Sequence, residues 1–178
     1  MVYNLIAMLF YPKKYFNKKE DIPVEAYYRQ GYRGILFDID NTLVPHDEPV
    51  DDAAKAFVNR IKELGYGVCL ISNNDEQRVR RFAEPLQVEY VYKAWKPGKR
   101  GYIEGMERLG TTVEDTLFVG DQIFTDIWGA NAAGIYSILL EPINPKEEIQ
   151  IILKRIPEKL VKWSYRKKYH LGRNEFDK

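Results

Sequence analysis

The sequence predicts an α/β protein in which a central parallel sheet lies between two layers of helices. Between residues 34 and 140, short apolar runs alternate with segments of helical periodicity across short connections, a pattern typical of parallel sheets. The run Gly34-Ile35-Leu36-Phe37 is apolar without interruption, as expected of a strand that is covered on both faces. The chain of 178 residues is long enough for one substantial core, so we expect a single domain over residues 1–178 with its core at about 30–142.

The other elements follow in order from this first strand. After a polar loop, Asp51-Asp52 opens a helix that Gly65 ends. Pro85 is expected to close the next helix, and Lys96-Pro97 is expected to start the one after it. Further strands are predicted over residues 66–71, 88–92, 116–119 and 135–140, and further helices over residues 75–83 and 125–133.

The composition is that of a globular, soluble protein. Hydrophobic residues make up 45% of the chain and charged residues 30%, without repeats or low-complexity tracts. Cys69 is the only cysteine, which excludes an intrachain disulfide, and its apolar surroundings predict a buried structural thiol in a reducing compartment. The apolar segment 1–16 lacks the features of a signal peptide and is too short to span a bilayer, so we expect a cytoplasmic protein.

The two ends of the chain differ from the rest in charge and in aromatic content. The net charge is +1, but residues 154–173 hold eight basic residues against a single acid, together with Trp163, Tyr165 and Tyr169. Taken alone, segment 1–16 is best interpreted as packing on the core and the basic tail as a solvated helix face. Both ends also suit an anionic membrane surface, and the basic, aromatic tail suits RNA.

Polar residues stand at the carboxyl ends of the predicted strands. Asp38 and Asp40 follow the first strand at i and i+2, on the same side of the chain and roughly 6.5–7 Å apart. Ser72, Lys96 and Asp121 stand at or just beyond the ends of later strands, at the edge where open parallel sheets bind ligands. Two acids at the end of so hydrophobic a strand indicate a counter-cation or a catalytic task. The sequence therefore predicts a site at this edge.

Four segments of the chain carry a family resemblance. Phe-Asp-Ile-Asp-Asn-Thr at residues 37–42 resembles the first motif of the haloacid dehalogenase superfamily, acid–x–acid–x–Thr at a strand end. Ile-Ser-Asn at residues 71–73 resembles the second motif, Lys96-Pro97 the third, and Gly-Asp-Gln-Ile-Phe-Thr-Asp at residues 120–126 the fourth. The motifs occur in the expected order over most of the chain. The resemblance implies the three-layer, Rossmann-like fold of that superfamily.

The resemblance also implies a phosphomonoester hydrolase. It assigns Asp38 as a nucleophile that forms an aspartyl phosphate, and Asp40 as the group that protonates the leaving oxygen and later activates water. It implies Mg²⁺ held by Asp38, the backbone carbonyl of Asp40, and Asp121. Hard oxygen ligands suit that ion, and carboxylates without a cation would repel a phosphate dianion.

The resemblance places the phosphate oxygens on Lys96, on the Ser72 hydroxyl and on the backbone N–H of Asn73. Without the other motifs, Ser72 and Asn73 would more often belong to a helix N-cap, and Lys96 would be a surface lysine. Lys93 is a rival for Lys96, but the proline after Lys96 suits a helix start.

Three further residues lie near the predicted site. Thr42, the last residue of the first motif, is assigned a supporting role by the resemblance. Asp126 either orients Lys96 or a metal-bound water, or it favours a helix N-terminus. His46 is interpreted as a loop residue near the substrate; with His170 as the only other histidine, a Ser/His/Asp triad or a His-based zinc site has little support.

The substrate is predicted from the layout of the chain and from a narrower resemblance. Residues 43–71 and 73–95 leave no room for the cap domain that is common in this superfamily, which favours a bulky or surface-borne phosphate. The compact layout, the fourth motif and the basic tail resemble a capless subgroup, the bacterial relatives of the mitochondrial phosphatidylglycerophosphate phosphatase. We therefore prefer a lipid phosphomonoester, hydrolysed at the inner face of the membrane by a peripheral protein. A soluble sugar, nucleotide or protein phosphate stays open, as does a non-catalytic protein that binds RNA or the ribosome.

Overall fold

The protein is built around one parallel β-sheet. The computed structural model describes residues 8–144 and 149–169, and within these residues the sheet has six strands. The strands are β1 (Lys14–Phe16), β2 (Gly34–Phe37), β3 (Gly67–Ile71), β4 (Glu89–Val91), β5 (Thr116–Gly120) and β6 (Tyr136–Leu140). They lie in the order β1-β6-β5-β2-β3-β4, and every neighbouring pair is parallel. The uniformly apolar strand β2 therefore lies in the interior of the sheet.

Helices connect the strands and cover the sheet. They are α1 (Val24–Arg29), α2 (Asp52–Glu63), α3 (Glu76–Leu86), α4 (Arg100–Leu109), α5 (Trp128–Ala133) and α6 (Ile149–Lys168). A 3₁₀ turn, Lys19–Asp21, precedes α1, and a π-helical turn, Ile123–Ile127, leads into α5. This alternation of strands and helices confirms the three-layer, Rossmann-like α/β fold that the sequence predicts.

Successive residues of β2 are buried against opposite helix layers. Ile35 and Phe37 belong to a cluster with residues of α1, α2 and α3, in which the ring of Phe57 lies 6.0 Å from that of Phe37. Leu36 belongs to a second cluster, which contains Tyr102 of α4. Because successive side chains of a strand point to opposite faces, a strand covered on both sides must be apolar at every position. The apolar run Gly34–Phe37 is uninterrupted because β2 is covered by helices on both faces.

The first residues of α2 and α3 agree with the sequence analysis, but the end of α3 does not. Asp51 caps α2 by accepting a hydrogen bond from the backbone N–H of Ala54 at 2.6 Å, and Asp75 caps α3 in the same way. The prediction that Pro85 closes α3 is wrong, because the helix continues to Leu86. Burial of Leu86 in the core outweighs the one backbone hydrogen bond that a proline nitrogen cannot donate.

α4 begins at Arg100, so the prediction that Lys96-Pro97 starts this helix is wrong. The backbone N–H of Lys96 donates to Oδ1 of Asn73 at 2.7 Å, and the Lys96 carbonyl accepts from Nδ2 of Asn73 at 3.1 Å. Both backbone polar groups of Lys96 are thus bonded to a side chain that follows β3. This contact between distant segments, which no helical periodicity reveals, holds Lys96 outside the helix.

Two short elements were missed by the sequence analysis. β1 extends the sheet at one edge, where Lys14 pairs with Ile138 of β6. α1 adds Val24 and Tyr27 to the core. Each element is too short to show a periodicity of its own, so a sequence pattern cannot distinguish it from a loop.

The C-terminal helix α6 packs on the N-terminal part of the chain. The rings of Tyr11 and Tyr165 meet edge to face with centroids 5.2 Å apart. Val161 of α6 and Tyr15 of β1 both pack on a cluster that includes the π-helical turn Ile123–Ile127. α6 and β1 therefore support the segment that follows β5.

Parts of the two predicted end segments lie outside the described residues. These parts are residues 1–7 of the apolar segment and residues 170–173 of the basic tail, together with the side chains of residues 154–158 in that tail. Among the residues that the structure describes, no helix combines the length and the apolar character that crossing a bilayer requires.

No additional domain interrupts the connections of the sheet within residues 8–144. Residues 43–71 hold α2 and β3, and residues 73–95 hold α3 and β4. The absence of a cap domain is therefore as predicted. Loops of the core itself border the carboxyl edge of the sheet, since the backbone N–H of Asp47 donates to Asp40 just after β2.

Gly101, in the first turn of α4, allows this helix to lie against the backbone before Lys96. A methyl group on Gly101 would lie 2.6 Å from Cβ of Ala94 and 2.8 Å from the Ala94 carbonyl oxygen. Because this backbone cannot rotate away, we expect Gly101→Ala to lower the free energy of unfolding by about 1–3 kcal/mol in urea denaturation. The exposed Glu107→Ala on the same helix should change it by less than about 0.5 kcal/mol. Equal stability of the two variants would contradict this account of the packing.

Candidate active site

Three buried carboxylates meet at the carboxyl edge of the sheet. Asp38 follows β2 and Asp121 follows β5, and these strands are neighbours. Asp126, on the π-helical turn after β5, joins them, so that carboxylate oxygens of the three acids lie within 4.8 Å of one another. The relative exposures of Asp38, Asp121 and Asp126 are 8%, 0% and 1%. We call these three residues the acidic cluster.

The ammonium group of Lys96 lies between two members of the acidic cluster. Its Nζ donates to Oδ1 of Asp38 at 2.5 Å and to Oδ1 of Asp126 at 2.7 Å. Lys96 is itself buried, so water screens these contacts little. One ammonium group offsets the charge of only one carboxylate, and the acidic cluster can therefore accept further positive charge.

Burial and neighbouring charges shift the pKa values of Asp38 and Lys96. Loss of hydration raises the pKa of Asp38 to about 7; the Lys96 ammonium opposes that rise, and the charges of Asp126 and Asp40 add to it. Burial alone would lower the pKa of Lys96, but the carboxylates of Asp126 and Asp38 outweigh it and raise this pKa above its ordinary value. Lys96 therefore stays charged at neutral pH. A cation beside Asp38 would favour its ionised form.

The donor set of the acidic cluster fits a divalent cation such as Mg²⁺. Carboxylate oxygens are the hard ligands that Mg²⁺ prefers, and this ion is usually held by one or two carboxylates together with water and substrate oxygens. Asp38 and Asp121, the two side chains predicted as Mg²⁺ ligands, lie within the distance that one ion requires. Their role as ligands stays a prediction, as does that of the Asp40 carbonyl.

Asp126 is fixed by contacts on both its side chain and its backbone. Its Oδ2 accepts hydrogen bonds from the backbone N–H groups of Asp121 and Gln122 at 3.2 and 3.0 Å. The Tyr102 hydroxyl donates to the Asp126 carbonyl at 3.0 Å. A Cβ on Gly120 would lie 2.6 Å from Oδ2 of Asp126, so only glycine permits this approach. Asp126 contacts the lysine directly, which is one of the roles that the sequence left open.

Asp40 lies beside the acidic cluster rather than within it. Its Oδ1 accepts from Nη2 of Arg78 at 2.8 Å and from the backbone N–H of Asp47 at 3.0 Å. Its Oδ2 accepts from Nδ2 of Asn74 at 2.9 Å. His46 brings Nδ1 to 3.8 Å from Oδ1 of Asp40. The loop that carries His46 and Asp47 therefore borders Asp40.

The remaining predicted residues differ in how they approach the acidic cluster. Oγ1 of Thr42 donates to Oδ2 of Asp38 at 3.4 Å. Ser72 is buried at the end of β3, and its Oγ accepts from the backbone N–H two residues later at 3.1 Å. Asn73 is exposed, and its side-chain amide forms hydrogen bonds with the backbone N–H and carbonyl of Lys96 rather than with the acidic cluster.

Lys96 rather than its rival Lys93 reaches the acids, since Lys93 is exposed. Two residues that contact Asp40, namely Asn74 and Arg78, were missed by the sequence analysis. Asn74 directly follows the second motif, and this position was the only feature of the sequence that could have indicated its role. Arg78 lies in the first turn of α3, among charged and polar residues that are typical of a solvent-facing helix. Only the fold reveals that Arg78 reaches the end of β2.

These features define an α/β protein with a buried, lysine-paired acidic centre at the carboxyl edge of its sheet. The chain belongs to the haloacid dehalogenase-like hydrolases, because the model of that family matches residues 44–134. This finding confirms the family and the hydrolase class that the four motifs predict.

Two relatives match over most of this chain. It is 30% identical over 168 residues to "Probable phosphatase YqeG" of Bacillus subtilis (strain 168), which covers 94% of this chain and 98% of the relative. It is 28% identical over 157 residues to "Phosphatidylglycerophosphate phosphatase 1, chloroplastic/mitochondrial" of Arabidopsis thaliana. That match covers 80% of this chain but only 44% of the plant protein.

Solved structures share the fold at low sequence identity. The cobalt-bound deoxy-D-mannose-octulosonate 8-phosphate phosphatase (YrbI) of Haemophilus influenzae superposes with a TM-score of 0.52 and 14% identity, over 87% of this chain and 99% of its own. An uncharacterized protein of Listeria monocytogenes serotype 4b superposes with a TM-score of 0.52 and 20% identity, over 66% of this chain and 84% of its own. At these identities the likeness shows the fold alone.

Mg²⁺ is expected to stabilise the folded protein, because it would offset the repulsion within the acidic cluster. At a free Mg²⁺ concentration about a hundred times its Kd, the gain is about 2.7 kcal/mol, which a thermal melt records as a rise in Tm. Asp121→Asn should remove most of this rise. Asp52→Asn, at an exposed position in the first turn of α2, should keep it. An equal Mg²⁺ effect on the two variants would show that the ion binds elsewhere.

Proposed function

We propose that this protein is a Mg²⁺-dependent phosphomonoester hydrolase that works through an aspartyl phosphate on Asp38. The observation that carries the proposal is the buried contact of Lys96 with Asp38 and Asp126, beside Asp121. A centre with three carboxylates and one ammonium group suits a divalent cation and an anionic substrate together. The names of the relatives support the reaction, since one is called a probable phosphatase and the other a phosphatidylglycerophosphate phosphatase.

Asp38 is the proposed nucleophile. When bound, Mg²⁺ supplies positive charge that polarises the phosphate group and offsets the carboxylates. The Asp38 carboxylate attacks phosphorus while the bond from phosphorus to the leaving alcohol breaks; water then attacks the aspartyl phosphate, which releases inorganic phosphate and restores Asp38. Lys96 and Thr42 contact Oδ1 and Oδ2 of Asp38 and so fix its orientation.

Asp40 is the proposed acid and base of the two steps. In the first step its carboxyl group gives a proton to the leaving alcohol oxygen, and in the second its carboxylate takes a proton from the attacking water. Asp40 stands two residues after the nucleophile and outside the acidic cluster, so the two carboxyl groups can take different roles.

Lys96, Ser72 and Asn73 are the proposed phosphate-binding residues. Lys96 carries the positive charge nearest to Asp38 and is proposed to neutralise phosphate oxygens as they approach. The Ser72 hydroxyl and the Asn73 backbone N–H, at the end of β3, are proposed as donors to those oxygens. The Asn73 amide has the separate task of holding the backbone of Lys96.

Asp38→Asn should abolish the hydrolysis of p-nitrophenyl phosphate, because an amide oxygen is a poor nucleophile. We expect kcat to fall by at least about a thousandfold, as is usual when a nucleophile is removed. The release of nitrophenol with Mg²⁺ measures this rate, and EDTA should abolish it in the wild-type protein. Asp52→Asn serves as the matched control and should keep full activity. Full activity of Asp38→Asn, or full activity in EDTA, would rule out the mechanism.

We propose further that the physiological substrate is a lipid phosphomonoester such as phosphatidylglycerophosphate, reached at the cytoplasmic face of a membrane. The name of the plant relative supports this substrate, although the match spans less than half of that protein. The outer face of α6 offers a membrane-binding surface: Leu160 and Trp163 are 68% and 63% exposed, and the exposed Lys159 and Lys167 flank them. Apolar and basic side chains in this arrangement suit an anionic lipid surface.

A panel of phosphate esters tests the substrate. Phosphatidylglycerophosphate in mixed micelles should be hydrolysed with a higher kcat/KM than soluble sugar, nucleotide or phosphopeptide substrates. The double variant Leu160→Ser, Trp163→Ser should lower activity on micelles by at least about tenfold, because each buried apolar side chain contributes about 1.5 kcal/mol or more. Its activity on p-nitrophenyl phosphate should not change. The matched control Ile103→Ser removes an exposed apolar residue from α4 and should act normally on both.

A large preference of the wild-type protein for soluble esters would overturn the lipid proposal and leave the phosphatase proposal intact. Equal micelle activity of the double variant and the wild-type protein would show that the outer face of α6 does not bind the lipid surface.

A further inference from the structure

We infer that Arg78 is a positioning residue that aims the carboxyl group of Asp40 at the leaving oxygen. This inference rests on the proposed phosphatase function and adds a residue to it. Arg78 belongs to none of the four motifs. Its role follows from contacts that join three separate segments of the chain: the first turn of α3, the end of β2 and the loop after it.

Arg78 reaches across from α3 with both terminal nitrogens of its guanidinium group. Nη2 donates to Oδ1 of Asp40 at 2.8 Å and to the carbonyl of Glu48 at 3.3 Å, and Nη1 donates to the carbonyl of Asp47 at 3.2 Å. The side chain is only 26% exposed, and that of Asp40 only 15%. A partly buried hydrogen bond from a guanidinium group is stronger and more directional than an exposed one.

The other partners of Asp40 cannot replace Arg78. Asn74 donates only to Oδ2 and leaves Oδ1 to the loop and to Arg78. The second donor to Oδ1 is the backbone N–H of Asp47, in the same loop whose carbonyls Arg78 holds. His46, also in that loop, approaches Oδ1 at 3.8 Å. Removal of Arg78 therefore takes one donor from Oδ1 of Asp40 and, at the same time, releases the loop that supplies the other donor.

The consequence for catalysis depends on the leaving group. A nitrophenolate ion leaves without a proton, whereas an alkoxide needs one from a well-placed acid. Misplacement of Asp40 should thus slow the hydrolysis of an alkyl phosphate much more than that of an aryl phosphate. A general loss of folding or of phosphate binding would slow both reactions to the same degree.

The test compares Arg78→Met with the wild-type protein on p-nitrophenyl phosphate and on the alkyl phosphate that the wild-type protein hydrolyses fastest. We expect kcat to fall by about tenfold to a hundredfold on the alkyl ester and by less than about threefold on the aryl ester, with KM nearly unchanged. Arg78→Lys keeps one donor and should recover part of the alkyl activity. Arg81→Met, the same change at an exposed position of α3, is the matched control and should behave as wild type on both esters.

Each outcome separates the inference from the proposed function. Equal losses of Arg78→Met on the two esters, or a loss confined to KM, would overturn the positioning role while the wild-type protein remains a phosphatase. If Arg78→Met does not fold, Asn74→Ala, which removes the donor to Oδ2, should show the same bias against the alkyl ester. An Asn74→Ala variant without this bias would then overturn the inference. No hydrolysis of either ester by the wild-type protein would instead reject the proposed function.

Discussion

The contact of one buried ammonium group with two buried carboxylates organises the carboxyl edge of the sheet. Lys96 lies between Asp38 and Asp126, and the three side chains come from segments that follow different strands. Each of these charged groups is buried and has lost most of its hydration, so removing one partner would leave an unpaired buried charge at a high cost in free energy. The loops after β2, β4 and β5 must therefore take positions that let these groups meet. The acidic excess that remains is what suits this edge to a cation.

Several residues around Lys96 position it for its contact with Asp38 and Asp126. The Asn73 amide holds its backbone on one side, and the absence of a side chain on Gly101 lets α4 lie against the preceding residue. The Tyr102 hydroxyl donates to the backbone carbonyl of Asp126, the second carboxylate that contacts Lys96, and so holds the turn Ile123–Ile127. The absence of a side chain on Gly120 lets this turn lie close to β5. These four residues belong to three different elements. The helix layer on this face therefore stabilises the sheet and also positions charge at its edge.

The sequence was sufficient for the fold and for the edge at which the polar residues collect, because both depend on local patterns. The apolar run before Asp38 marks a central strand, and strand ends in a parallel sheet share one edge. The sequence was not sufficient where a residue acts through tertiary contacts. The hydrogen bonds of Asn73 and Arg78 join segments distant in sequence: the motif that contains Asn73 does not predict its contact with Lys96, and Arg78 stands in no motif. β1 was missed for a related reason, since its pairing with β6 is its only distinguishing property.

The packing of α6 on the turn Ile123–Ile127 has a consequence for the biosynthesis of this protein. Val161 and Tyr165 are translated after every strand of the sheet, yet Val161 packs on the turn that carries Asp126. While α6 is still inside the ribosomal exit tunnel, this turn lacks the contact that Val161 provides. The turn that carries Asp126 therefore gains this part of its packing only after α6 has left the ribosome.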